Sequence, residues 1–567
     1  AQNIGINIAR TIAIDGTALQ PPNEAFNDVT PPGLLSRNLY SDTMWRVISM
    51  VGLTPGVCIE YQVTLEDKAE QRTGGETWIT GGYNFQSTET TLETNYALRM
   101  PQTWHLQWKV DNSAVNIGSQ ANPLEPEVSY DENDTVVYVW RYGETPALKR
   151  EEGMPHINDI APRLRYSSIA SWDDVYTWYK ALAKGRYTPD AHIEEAVHRL
   201  TKNLTTEEAK IRAIYHFVAS NIRYVGIELG QGAYQPSPAA EVFQKQYGDC
   251  KDKTTLLIAM LDLAGIRAYP VLMNPAPYER VDIELPALNQ FSHMIAAIPA
   301  PEGGYIWLDA TSQTCSYRDL PYTDQGRKGF LIGDPHGEFV DIPIFPPESN
   351  RLVSKTEFVL NDDGSVQGTL HIQTRGQYNL NARWTYQQVQ PSALKTFLAT
   401  ELSQQFPGIQ IEWYDISDLG NLNVPVEISI GFHVENYATR LENEMLLHLP
   451  IDEFAEYAAM VVAPQRAYSL DLGYPTRLEK EIRIRLPEGW TAALPEDIHH
   501  ATDFAELTRH YKQVENLITY KLTFTLKSRT LPATAYPEAK LFFTQLASED
   551  GSRLLLRTGG YKRALLQ

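Results

Sequence analysis

Cys250 lies in the run Gly248-Asp249-Cys250-Lys251-Asp252-Lys253, where a glycine-containing loop gives way to a stretch of helical period ending near Ala264. Asp249 is suited to cap that helix. The thiol then falls in the first turn, among backbone N–H groups that have no intrahelical acceptor and at the positive end of the helix dipole. A thiolate there is stabilised and its pKa falls. A cysteine alone is more often a small packing residue, so nucleophilic chemistry also requires a base. The strands downstream offer one. If Ser292 to Ile298 and Tyr305 to Ala310 form a hairpin, paired positions sum to about 602 and His293 meets Asp309, directly opposed Cβ atoms being about 4.5–5.5 Å apart. That spacing lets a carboxylate accept from an imidazole N–H, fixing the tautomer and stabilising imidazolium while the other ring nitrogen takes the thiol proton. Alternation puts Tyr305, Trp307 and Asp309 on one face, where the rings would shield the pair from water. Cys250, His293 and Asp309 are the candidate catalytic residues.

An oxyanion stabiliser is open between the Gln244 side chain, Tyr224 and the backbone N–H of Cys250. Cys315 reads as a loop bystander, Cys58 as a structural strand residue, and Lys251 and Lys253 as a solvated helix start. His499-His500 and His510 lack a further ligand at zinc-site spacing, and Asp362-Asp363-Gly364 reads as a turn, so neither a metal nor a cofactor is expected.

The elements that would position these groups change period along the chain. Up to about residue 165, short β-branched or aromatic runs such as Arg46 to Val51, Val57 to Val63 and Thr135 to Trp140 suggest a β-sandwich, with Asp15-Gly16 as a hairpin turn. From about Ser167 the period becomes helical. Ser171 caps a helix ending at Gly185, Asp190 caps a second, and Thr205 with Glu208 has capping-box spacing for a third. A Gly- and Pro-containing loop from Val225 to Pro238 then leads to the Cys250 helix, which Gly265 terminates. Three strands follow, Ile266 to Met273, Ser292 to Ile298 and Tyr305 to Ala310, an α+β layout. Beyond Phe345-Pro346-Pro347 strands return, with Asp363-Gly364 and Asp550-Gly551 as turns and helices from Ser392 to Phe406 and from about Asp452 to Val461.

Gly-Asp-Cys-Lys-Asp at 248–252, Phe291-Ser292-His293-Met294 and Trp307-Leu308-Asp309-Ala310 resemble the transglutaminase-like cysteine enzyme superfamily. Its papain-like core uses Cys, His and Asp in that chain order. Glu144-Thr145-Pro146-Ala147-Leu148, Ser171-Trp172 and the stretch from Tyr224 to Pro236 are similar to bacterial proteins with an uncharacterised N-terminal β domain ahead of this core, and the C-terminal half resembles the β-rich domains that follow it. The resemblance implies a multidomain α+β chain: an N-terminal β-sandwich (1–165), a transglutaminase-like catalytic domain (166–344) and a C-terminal β-rich region of one or two domains (345–567). It also implies more strand sequence before Ile6, hence a first domain truncated at its start, which would remove any export signal, and a periplasmic or extracellular location in a bacterium, with the cytoplasm as the alternative.

Composition narrows the partners. The 567 residues carry 49 Lys+Arg against 70 Asp+Glu, a formal net charge of −21, which repels phosphate backbones and makes nucleic acid a poor candidate. No window approaches the roughly 20 apolar residues of a membrane helix. Three widely separated cysteines argue against a disulfide framework. The expected chemistry is acyl transfer on a carboxamide or peptide bond of a protein or peptide substrate through a thioester, as transglutaminase, amidase or peptidase. The competing expectation is a catalytically silent scaffold that binds a partner through its β domains.

Overall fold

The computed structural model describes residues 2–32, 39–41, 43–67, 78–112, 125–131, 134–228, 230–451, 454–547 and 552–558; the expected Asp550-Gly551 turn and Asp452 lie outside them. Five helices build one side of the central domain: α1 (Trp172–Ala183), α2 (Ala191–Thr201), α3 (Glu207–Asn221), α4 (Ala239–Lys245) and α5 (Cys250–Leu263). Their starts follow local chemistry. Ser171 and Asp174 close a capping box on α1 and Asp190 accepts from the Ile193 N–H on α2. The cap of α3 is Thr206, accepting from the Ala209 N–H, rather than the expected Thr205. Helix α5 ends where Gly265 takes a φ of 78°, a left-handed conformation open to glycine at no steric cost.

The other side is a sheet of five antiparallel strands, two more than the sequence pattern suggests. These are β1 (Tyr269–Met273), β2 (His293–Pro299), β3 (Tyr305–Leu308), β4 (Lys328–Ile332) and β5 (Gly337–Asp341), in the spatial order β3-β2-β1-β4-β5. Helix α5 is buried at every position from Lys251 to Leu261. Its Leu256, Leu257 and Met260 pack with α3 and with Ala296, Ile298 and Leu308 of the sheet. A helix enclosed on all sides cannot show a polar face, and Lys251 and Lys253 are buried at 6% and 0% exposure rather than solvated.

The flanking regions are β-rich. In the N-terminal one, strands Thr94–Pro101, Glu127–Tyr130 and Thr135–Tyr142 form one antiparallel sheet and Thr80–Asn84, Gln107–Asp111 and Arg163–Ser167 another, sharing a core of Phe85, Trp140, Tyr142 and Leu164. A separate sheet pairs Gln2–Ile12 with Ala18–Leu19 and Cys58–Asp67, and Gly16 makes the expected turn at φ 84°. Cys58, at the start of its strand, is exposed. C-terminal to the core, eight of the strands between Arg351 and Leu526 form one sheet in which Arg351–Leu360 runs parallel to Thr476–Arg485. A four-stranded sheet and the helix Tyr536–Leu546 share its core. The expected helix over 392–406 is present as Leu394–Glu401, and the short one as Ala455–Met460. Helices Gln377–Gln387 and Tyr536–Leu546 went unforeseen.

Candidate active site

The start of α5 explains its sequence residue by residue. Asp249 caps the helix by accepting from the Asp252 N–H, and the Asp252 side chain reaches back to the Asp249 N–H, a reciprocal capping box. A Cβ at Gly248 would lie 2.6 Å from the Asp252 Cβ, so the box closes only with glycine before it. Lys251 forms a buried ion pair with Asp249. Burial pushes the Asp249 carboxyl up to about 6 even with Lys251 beside it, and burial works against the Lys251 ammonium too, which Asp249 nevertheless holds above the usual lysine value. Cys250 is thus fixed between a satisfied cap and a neutralised pair.

Thr254, one turn along, donates to the Met294 carbonyl at 3.2 Å and holds α5 over the first residues of β2. The hairpin register pairs Ala296 with Leu308 and Pro299 with Tyr305, a sum of 604 rather than 602. Asp309, just past the end of β3, is therefore diagonal to His293 instead of directly opposite. A shift of two residues keeps both on the same face, and diagonal neighbours remain within side-chain reach. The His293 Nε2 lies 3.3 Å from Asp309 Oδ2. The other carboxylate oxygen accepts from the Thr311 N–H at 2.8 Å and the Thr311 hydroxyl at 2.6 Å. The Asp309 carbonyl accepts from the Tyr215 hydroxyl at 3.0 Å. With Nε2 facing Asp309, the imidazole is also near enough to Cys250 for that side chain to raise its pKa, and both line one cavity.

The electrostatics match this arrangement. Burial disfavours the His293 imidazolium, yet the Asp309 charge and hydrogen bond, with the Cys250 contact, hold its pKa well above the ordinary value of 6.5. Burial likewise opposes the Asp309 carboxylate, and His293 together with the two Thr311 donors leaves it below the usual range. The Cys315 thiol is fully buried and pushed well above the ordinary thiol value by that burial.

Cys250 and His293 open on a cavity of about 230 Å³ whose walls include Trp178, Tyr179, Tyr224, Tyr234 and Phe291. The rings come from α1, the stretch between α3 and α4, and the loop before β2. Trp307 instead packs with Val271, Ile295 and Leu331 in the core of the sheet, and Tyr305 packs against that core, so the expected shielding by these two rings is replaced. Of the oxyanion candidates, Tyr224 lines the cavity, held there as Arg223–Tyr224 pairs in parallel with Tyr247–Gly248. Gln244 is exposed on α4 and does not line it.

A further carboxyl went unforeseen. Among the described residues, His293, Asp309 and Asp324 are the one group of His, Cys, Asp or Glu whose ligand atoms all lie within 4.8 Å and could share a cation. His499 and His510 each face their own carboxylate, Glu506 and Asp497, on the exposed C-terminal sheet. Asp363 accepts from the Ser365 N–H and hydroxyl, the turn expected of it.

Residues 194–310 match the family model of the transglutaminase-like superfamily. The flanks match two models described as domains of unknown function, DUF3857 over residues 1–149 and DUF3858 over 443–556. No curated protein matches the chain. A crystal structure described as "a putative protease from Parabacteroides distasonis ATCC 8503" superposes with a TM-score of 0.68 and 16% identity, over 98% of this chain and 89% of that one, a likeness of fold. Another, "a putative cysteine protease from Cytophaga hutchinsonii", covers 47% of this chain and 88% of that one at 12% identity, with a TM-score of 0.21 that bears no weight.

Proposed function

Starting from a chain whose centre is a transglutaminase-like domain, we propose that it performs cysteine-dependent acyl transfer on carboxamide or peptide bonds, with Cys250 as nucleophile, His293 as acid and base, and Asp309 as the group orienting the imidazole. The observation that carries this reading is the His293 imidazole 3.3 Å from the Asp309 carboxylate, with His293 and Cys250 together on the wall of an aromatic-lined cavity. Sulfur attacks the carbonyl carbon and the S–C bond forms. As the tetrahedral adduct collapses, the C–N bond breaks and the His293 proton passes to the departing nitrogen, giving ammonia from a carboxamide or an amine from a peptide. Water or a second amine, losing its proton to His293, then attacks the thioester and releases the sulfur. The backbone N–H of Cys250 and the hydroxyl of Tyr224, a residue that lines the cavity, are the donors proposed for the oxyanion. Protein or peptide chains are the substrate class, entering as neutral acyl groups between the rings.

The test offers a glutamine-containing peptide with and without a primary amine. Amine incorporation identifies a transferase, ammonia release alone an amidase, and chain scission a peptidase. Cys250→Ala is expected to abolish whichever product appears while leaving the circular dichroism unchanged, because the substitution removes little volume. Silence of the wild-type chain in all three assays, or turnover that survives Cys250→Ala, overturns the reading.

A further inference from the structure

Asp324 lies in the loop between β3 and β4, beyond the hairpin that carries His293 and Asp309. It is 2% exposed, and one of its carboxylate oxygens is within 4.8 Å of a His293 ring nitrogen and an Asp309 oxygen. Its Oδ1 accepts from the Thr323 hydroxyl at 3.3 Å, while its Oδ2 has no geometrically sound donor among the described residues. Two carboxyl groups so close in a buried site cannot both ionise without a large penalty, and a shared proton relieves it. We propose that Asp324 is a positioning residue, its buried carboxyl donating a hydrogen bond to Asp309 and so holding that carboxylate toward His293.

The loop is built to keep it there. The Asp324 N–H donates to the Pro321 carbonyl at 3.0 Å, and the Thr323 carbonyl accepts from the Ala276 N–H at 2.7 Å. The C-terminal region grips both sides: Arg529 Nη1 donates to the Tyr322 and Gln325 carbonyls, each at 2.8 Å, and Gln377 Oε1 accepts from the Tyr322 N–H at 2.6 Å. The titratable groups facing Asp324 are Asp309 and His293, with Arg327 and the Cys315 thiol also within its field. Burial and the Asp309 charge push the Asp324 carboxyl up to about 8, so at neutral pH it holds the proton that Asp309 accepts, and above that pH the donor is lost.

This proposal rests on Cys250, His293 and Asp309 being the reacting groups, and its test separates the two. The rate of Cys250 alkylation by iodoacetamide is measured against pH in the full chain, alongside kcat and KM for whichever peptide reaction is found. Asp324→Asn keeps a donor that cannot ionise. It is expected to stay within about threefold of wild type in kcat at pH 7 and to lose any break near pH 8 in the alkylation profile. Asp324→Leu removes the donor at similar volume and is expected to lower kcat roughly 10- to 100-fold with KM little changed, and to shift the alkylation profile. Equal damage from Asn and Leu, or an alkylation profile unmoved by Leu in a folded protein, overturns the proposal. A shifted alkylation profile in a chain that turns over no peptide keeps it and rejects acyl transfer instead.

Discussion

Lys253 gives the buried helix a measurable pH dependence. The residue is 0% exposed, one turn past Cys250, and its ammonium donates to the carbonyls of Ala219, at 3.3 Å, and Ile222 at the end of α3. Burial pushes its pKa from 10.5 down to about 7, with the Asp309 charge pulling the other way. Below pH 7 the folded and unfolded chains both carry the proton. Between 7 and 10.5 the unfolded chain keeps it and the folded chain sheds it, so stability rises with pH at up to ~1.4 kcal/mol per pH unit. Over the whole interval that amounts to roughly 5 kcal/mol, the ceiling on what the buried charge costs at neutral pH. Lys253→Met removes the titration. Relative to that variant, wild type is expected to gain about 2 kcal/mol between pH 7 and pH 9, the first part of the interval lying on the curved foot of the titration. Urea unfolding at pH 6, 7, 8 and 9 would be followed by pulse-labelling Cys315, which is fully buried in the same domain, with each cysteine peptide separated by mass. A stability difference between the two proteins that stays constant across those pH values refutes the reasoning.

Asp309→Asn is expected to leave the fold intact and slow turnover by about two to four orders of magnitude, since an amide holds the wrong tautomer and cannot stabilise imidazolium; kcat against circular dichroism checks this. Cys315→Ala should retain most of the activity, because that thiol is enclosed and its pKa is raised by burial. Loss of turnover in that variant would move the nucleophile to Cys315.

What the sequence made legible was chemistry carried by local spacing. The box at Asp249 and Asp252 spans one helical turn, and Gly265 punctuates the same helix, so both follow from residues a few positions apart. The pairing of His293 with Asp309 was reached through a register two residues off. The turn closes with the Ala300 N–H on the Gly304 carbonyl and the Gly303 N–H on the Ala300 carbonyl, its centre one residue later than a sum of 602 requires. The error was harmless only because strands alternate with a period of two. Burial of Lys251 and Lys253 was not legible, since a charged pair at a helix start looks the same whether water or protein surrounds it. Asp324 carries no local signal at all: it becomes a neighbour of Asp309 only through the path of a loop fixed from elsewhere. Helix Gln377–Gln387, mostly polar, has no apolar stripe to betray it, though its Gln377 and Asn379 are buried in contacts with the central domain.

Those contacts bear on why so much β structure accompanies a compact site. His293 follows a long loop from β1, and Asp309 precedes another; a site built at two loop ends is only as rigid as the loops. The N-terminal region holds the first. Lys109 reaches Asp282 at 2.7 Å and Glu284 at 2.9 Å, Arg163 pairs with Glu279, and Asp159 accepts from the Arg280 N–H at 3.0 Å. The C-terminal region holds the second through Arg529 and Gln377, and adds Asn379 on the Ser316 hydroxyl at 3.1 Å. Glu284 is exposed and its pair with Lys109 contributes little stability, whereas Arg163 and Glu279 are largely buried, so losing that pair costs folding free energy as well as geometry. Loosening either set is expected to displace the imidazole or its carboxylate more than the Cys250 thiol, since α5 has its own cap, Thr254 and the surrounding helices as anchors. The flanking regions thus bear most directly on the loops that carry His293 and Asp309, and they touch the Cys250 side through packing, Trp78 against the cavity wall residue Trp178 and Leu422 in the cluster around α5.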